Sequence, residues 1–323
     1  MMAIRRPLSA IPGLGESLSA ILGLRDTWAP ARRTWAPGRR LFLRHGVGAA
    51  LFAALAQSQA PAAATTALFR NQFVENTTGR RCCAVVELRQ YTLVPGRFDD
   101  FAKLFEDEFV DPLEAAGMTV IGQFHDLDDP NRFVWLRGFR DMPSRAKALE
   151  AFYGGPLWKA RRDAANANFT DTDNVLLLRP AAPDSGVDLH GLQRAAIGAQ
   201  GHADRGLVIV TVYSLNDSTA NSFPGYFEQE LKPALARGGV GVAAAFETET
   251  SPNNFPRLPV REGEHVFVWI ARFADRQRGE AALAAIPHSQ HWREHVAPGL
   301  QRRLKGPTQT LRLAPTARSL LRG

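Results

Sequence analysis

Cysteine is nearly absent: the 323 residues hold two, Cys82 and Cys83, and these are neighbours. A scaffold built on disulfides is excluded, and so is a C-x-x-C metal or redox motif. Adjacent cysteines are expected to bridge each other poorly, because bonded pairs prefer Cα separations of about 4.4–6.8 Å; that leaves an intermolecular bridge or two free thiols. Long apolar runs are missing too. None approaches the roughly 20 residues that cross a bilayer as a helix, so no stable membrane anchor is expected. There is no G-x-G-x-x-G, P-loop or G-x-S-x-G, which removes the case for nucleotide binding and serine hydrolase chemistry. The formal charge is +7, but residues 1–80 hold ten Arg, no Lys and only three acids (Glu16, Asp26, Glu75) and carry all of it. The rest of the chain is neutral, and no nucleic-acid partner is expected.

What is present suits a globular protein of about two domains, with 45% hydrophobic residues. Residues 1–38, rich in Pro, Gly, Arg and Trp, repeat TWAPARR as TWAPGRR and show no period that would bury a face. Arg39-Arg40-Leu41-Phe42-Leu43-Arg44 then resembles a twin-arginine export motif, followed by the weakly apolar stretch Val47–Ala56 and small-residue cleavage sites at Ala54-Leu55-Ala56 or Ala60-Pro61-Ala62. Residues 1–62 are therefore expected to be a signal or disordered extension of an exported protein, periplasmic or secreted. A mitochondrial presequence is the alternative, since such segments are also rich in Arg and poor in acids. Residues 63–83 read as a linker.

The remainder is a duplication. From Val85 and from Leu207 the chain matches itself at an offset of 122, pairing Tyr91 with Tyr213, Phe101 with Phe223, Phe105 with Phe227, Gly117 with Gly239 and Phe124 with Phe246. After an insertion in the second copy (Thr250 to Glu262), Phe133-Val134-Trp135 matches Phe267-Val268-Trp269, Asp141 matches Asp275 and Trp158 matches Trp292. The first domain is placed at 84–181, a linker at 182–205, the second domain at 206–315 and a tail at 316–323.

Each copy reads in the same order. Val85–Leu93 alternates as a strand, Phe98–Ala116 carries Phe101, Leu104, Phe105, Phe109 and Leu113 on one helical face, and Gly117 ends it. Met118–Leu127 and Arg132–Arg140 are strands joined by the turn Asp128-Asp129-Pro130-Asn131. Pro143 opens a helical region, broken near Gly154-Gly155-Pro156, that runs to about Asn168, and Val175–Arg179 is a last short strand. This is β-α-β-β-α-β, a ferredoxin-like unit. The fold class is α+β: two tandem ferredoxin-like units packed sheet to sheet as an α/β barrel closed within one chain, with further oligomerisation left open. Val86 and Leu88 are expected to face the helices, and Glu87, Arg89 and Tyr91 the barrel interior. Trp135 and Phe139 are expected on that bare face too.

VVELRQYTLVPGRFDDFAKLF, PLEAAGMTVIGQF, DPNRFVWLRGF and GGPLWKARRD together resemble the NIPSNAP domain over residues 84–181. That pattern opens E-L-R-x-Y-x-L-x-P-G and closes P-x-W. The second copy keeps Tyr213, Phe223, Phe227, Gly239, Trp269 and Trp292 but carries Ile209-Val210-Thr211-Val212 in place of E-L-R-x. The resemblance implies a relative of the dimeric α/β barrels and no particular reaction, because a fold does not set a function.

Glu87, Arg89 and Tyr91 share one strand face, where they form either a site for a small polar or anionic ligand or a structural ion pair. Trp135, Trp158, Trp269 and Trp292, with Tyr213, line an apolar pocket or simply fill the core. His125, at a strand end, joins Arg89 and Tyr91 as a catalytic candidate. His288, His291 and His295 lie close together without an H-E-x-x-H, and neither a metal nor a cofactor is expected. Two functions follow: a small-ligand-binding or protein-interaction module, or a cofactor-independent oxygenase or isomerase with Arg89, Tyr91 and His125 around a pocket lined by Trp135. A hollow barrel favours the enzyme and a filled one the module.

Overall fold

The computed structural model describes residues 81–199 and 206–323. The expected signal over residues 1–62, and all but the end of the 63–83 linker, lie outside them. A two-residue strand, β1 (Arg81–Cys82), precedes the first copy, which opens with β2 (Val85–Leu93). The expected helix follows as α1 (Phe98–Leu104), one π-helical turn (Phe105–Phe109) and α2 (Val110–Ala115). Gly117 ends it at φ 98°, a left-handed conformation that glycine adopts without steric cost. Strands β3 (Thr119–Asp126) and β4 (Arg132–Phe139) form the hairpin, whose turn is held by Asp129 accepting from the backbone N–H groups of Asn131 and Arg132. α3 (Met142–Tyr153) is capped by Asp141, which accepts from the Ser144 N–H. α4 (Pro156–Asn166) and β5 (Phe169–Pro180) complete the copy. β5 begins six residues before the expected Val175, because Phe169 to Asn174 is mostly polar and not buried, so its sequence shows no face to hide.

A short strand, β6 (Val187–Asp188), lies between the copies and pairs with β1. The second copy repeats the order: β7 (Leu207–Ser214), α5 (Phe223–Tyr226), a π-helical turn (Phe227–Leu231), α6 (Lys232–Arg237), β8 (Val242–Thr248), β9 (Val266–Phe273), α7 (Arg276–Ala285), a π-helical turn (Trp292–Val296), α8 (Ala297–Gln301) and β10 (Gln309–Pro315). The first two π turns fall at matching positions of the two copies.

Each half is a four-stranded antiparallel sheet, β3-β4-β2-β5 and β8-β9-β7-β10. The halves join where β5 pairs with β8 and β10 with β3, each over three residue pairs, closing an eight-stranded barrel within one chain. The barrel interior is filled by aliphatic side chains and two phenylalanines: Val86, Leu88, Val134, Leu136, Leu176 and Leu178 meet Val208, Val210, Val268, Ile270, Leu311 and Leu313, with Phe124 and Phe246 among them. The expectation for β2 is therefore inverted. Val86 and Leu88 face inward, while Glu87, Arg89 and Tyr91 lie beneath the first half's helices, as do Trp135 and Phe139. The reason is volume. Closure brings inward side chains from all eight strands into one narrow interior, which suits aliphatics, while the layer between sheet and helices admits long and aromatic side chains.

Val187, Leu189, Leu320 and Leu321 join the interior cluster, so the segment between the copies and the last residues both pack against the barrel core. Cys82 and Cys83, expected not to bridge each other, form a disulfide. Cys83 adopts φ 69°, uncommon for a residue other than glycine, and the two Cα atoms come to 3.7 Å. Among the described residues no helix is long and apolar enough to cross a membrane.

Candidate functional site

The first half carries a buried charge cluster that the alternation of β2 and β4 builds directly. In the β2–β4 register Glu87 lies opposite Arg137 and Arg89 opposite Trp135, so these four side chains leave the sheet on the helix side. Arg89 Nη1 donates to Glu87 Oε2 at 2.6 Å and its Nε donates to the Tyr91 hydroxyl at 2.8 Å. Arg137 Nε donates to the same Oε2 at 2.8 Å, and its Nη1 donates to the Tyr153 hydroxyl at 3.2 Å. Arg145, on α3, donates from Nε to Glu87 Oε1 at 2.6 Å. Its Nη1 reaches Asn253 Oδ1 at 3.0 Å and Asn254 Oδ1 at 2.7 Å, both on the insertion of the second copy. Glu87, Arg137 and Arg145 are fully buried and Arg89 nearly so.

Three guanidinium groups thus meet one carboxylate, a net charge of +2 out of contact with water. Burial alone would push the Glu87 carboxyl up, but the charges of Arg137, Arg89 and Arg145 outweigh it and hold the group far below the usual carboxylate range. Burial works against the Arg89 cation, yet Tyr91 and Glu87 raise it above the ordinary arginine value. Aromatic faces spread part of the excess charge. Arg89 lies 5.8 Å and Arg137 5.0 Å from the Trp135 ring, and Arg137 lies 5.6 Å from Phe139.

Next to the cluster is a small aromatic slot of about 40 Å³, with Tyr91, Trp135, Tyr153 and Trp158 in its walls and Phe105 and Phe109 over it. The π turn Phe105–Phe109 sits here; such turns recur at functional sites. The Trp135 Nε1–H is buried and has no partner. In the second half the matching Trp269 donates Nε1–H to the Tyr213 hydroxyl at 3.1 Å. The difference follows from Arg89: it draws the Tyr91 hydroxyl to itself, and Trp135 is left with a free donor.

His125 is not part of this group. Phe133 separates it from Tyr91 across the sheet, since both lie opposite Phe133, and its ring packs against Phe98 at 4.1 Å. Trp158 lies beside Phe109, Phe152 and Tyr153. In the second half Tyr213, Trp269 and Trp292 are buried in one apolar cluster. His291 and His295 are 5.2 Å apart ring to ring. Among the described residues no three His, Cys, Asp or Glu side chains converge as a metal site.

Arg137, Arg145, Tyr153 and the Asn253–Asn254 pair were not singled out in the sequence. The duplication contained the signal for the arginines. At the offset of 122 before the insertion and 134 after it, Glu87, Arg89, Arg137 and Arg145 correspond to Ile209, Thr211, Ala271 and Gly279, so all four charges differ together between the copies. In the second half Phe273 packs against Gly279, where a Cβ would come within 2.8 Å of the ring, and the space held by charges is filled by hydrocarbon.

Residues 86–183, within the first half, match the NIPSNAP family model. None of the curated proteins matches the chain. Among solved structures, a NIPSNAP domain protein from Burkholderia xenovorans is 23% identical, covers 31% of this chain and 96% of its own, and superposes with a TM-score of 0.29. A candidate monooxygenase from Lactobacillus acidophilus is 14% identical over 74% of this chain and 98% of its own, TM-score 0.45. A chlorite dismutase variant from Candidatus Nitrospira defluvii is 13% identical over 72% of this chain and 93% of its own, TM-score 0.40.

Proposed function

We propose that the NIPSNAP domain of this chain is a small-ligand-binding module, its site the aromatic slot beside the Glu87–Arg89–Arg137–Arg145 cluster, and that the second half is its scaffold. The observation that carries the reading is the buried, unpartnered Nε1–H of Trp135 in the slot wall, set against the satisfied Trp269 of the second half. A buried donor left unmade costs about 1–3 kcal/mol, so a ligand presenting an acceptor there gains on binding. The neighbouring net charge of +2 favours an acceptor rich in electron density, such as a carbonyl or an oxyanion. The slot admits one functional group, and the body of a larger ligand would lie outside it. The filled barrel and the separation of His125 from Arg89 and Tyr91 favour binding over the oxygenase or isomerase reading.

The test is the indole N–H resonance of Trp135, identified by its loss in Trp135→Phe. Acetophenone is expected to shift it and ethylbenzene, which lacks the acceptor, is not. Equal shifts from the two compounds, or none from either, defeat the reading. Export is proposed on the order of motif, apolar stretch and cleavage site in residues 39–62. Terminal sequencing of the protein from an exporting host should find a mature start between about Gln57 and Ala63, and a chain intact from Met1 in the cytosol would refute it.

A further inference from the structure

The insertion of the second copy does more than touch Arg145. It forms one side of a cleft of about 450 Å³ whose other side is the junction of α3 and α4, a volume within the roughly 300–1,000 Å³ of small-molecule sites. Tyr153 and Trp158 from the first half and Phe255 and Leu258 from the insertion supply its apolar walls. The rim holds three cations, Lys159, Arg162 and Arg257, against one acid, Glu150. Glu150 is bonded to Arg257 at 2.7 Å, an exposed pair of the kind that is easily exchanged. The cleft is therefore net positive, with aromatic faces beneath the charges.

The start of α4 adds to the field. Gly155 caps it without a side chain, and Gly154 lines the cleft beside it. The uncapped first turn presents the partial positive charge of a helix N-terminus at the same place as the rim cations. Rings to stack on, and positive charge along one edge, together select a flat molecule with a charged end.

We infer that this cleft binds a small aromatic anion, an aryl carboxylate or aryl phosphate, with its ring against Trp158 and Phe255 and its anionic group toward Lys159, Arg162 and Arg257. The site exists only because the two copies are in one chain: neither half alone has both walls. It shares Tyr153 and Trp158 with the slot but contains neither Trp135 nor any of the three buried arginines, and its rim cations Lys159, Arg162 and Arg257 do not line the slot.

Calorimetric titration of the full chain with 1-naphthoate, 1-naphthyl phosphate and the neutral 1-naphthamide tests it. Both anions are expected to bind once per chain, at least about tenfold more tightly than the amide, and to weaken as salt rises. The triple variant Lys159→Gln, Arg162→Gln, Arg257→Gln changes only half-exposed or exposed side chains; it should lose about tenfold for the anions and nothing for the amide. If the carboxylate binds and the phosphate does not, or the reverse, the binding member identifies the headgroup. Naphthamide binding as tightly as naphthoate, unchanged naphthoate affinity in the triple variant, or no anion binding at all overturns the inference. The triple variant leaves every residue of the slot in place, so its loss of naphthoate affinity reports on the cleft, and the acetophenone shift of Trp135 should persist in it.

Discussion

Removing Glu87 would leave Arg89, Arg137 and Arg145 facing one another with no counter-charge, whereas removing Arg89 would leave the carboxylate two partners. Glu87→Gln is thus expected to cost about 3–5 kcal/mol, the range for breaking a buried pair, and Arg89→Met clearly less, because it also lowers the excess positive charge. Urea unfolding of the two variants checks the order, and equal losses would contradict it. The pH dependence has a definite sign. Folding holds the Glu87 carboxyl below its ordinary value, so its contribution is fully present above the usual glutamate value and is lost as pH falls through the folded value. The stability gap between wild type and Glu87→Gln should narrow from about pH 5 to pH 3; a constant gap would show that the carboxylate is not held by the arginines. The alternation of Val85–Leu93 sorted these side chains into two sets. It did not say which set faces the barrel, because the strand is buried on both faces and neither set is marked by exposure. Trp135's lost partner was likewise invisible, since it depends on which hydrogen bond Tyr91 makes.

Helices, strands and their order were legible because apolar spacing, Gly117, Pro143 and the Asp-rich turn each punctuate the chain with a local physical requirement. The π turns were not, since a single extra residue in a helical repeat barely alters the spacing of Phe101, Phe105 and Phe109. The insertion from Thr250 to Glu262 was visible as a gap in the repeat, yet its destination was not. It runs onto the first half, where Phe255 is buried in the cluster that includes Phe109, Trp135 and Phe152, and Asn254 donates Nδ2–H to the Met142 carbonyl at 2.6 Å. Phe255→Ala should therefore cost about 3 kcal/mol and do so in the other copy: hydrogen exchange is expected to quicken in α3 and α4 while β7 and β9 keep their protection. Exchange that quickens only in the second half would refute this.

The duplication made closure legible, for a lone half leaves one sheet face and two edges uncovered. The seams are short, three residue pairs each against eight between β2 and β4, but they complete the ladder and bury the inner face. A chain ending at Pro180 would expose Val86, Leu88, Val134 and Leu136 together with the edges of β3 and β5, an aggregation-prone combination. Light scattering should find it dimeric or aggregated, and a half that stays monomeric at high concentration would contradict the account.

One further consequence follows from the tandem arrangement of the strands. When a barrel is assembled from two identical molecules, every altered codon is expressed twice around the axis, so neither pocket can be lost without the other. Here each substitution is entered once. The second copy could exchange four charges for Ile209, Thr211, Ala271 and Gly279 while the first kept Glu87 and its arginines. The proposed slot is accordingly expected once per barrel, in the half that kept its charges, with the other half as chassis.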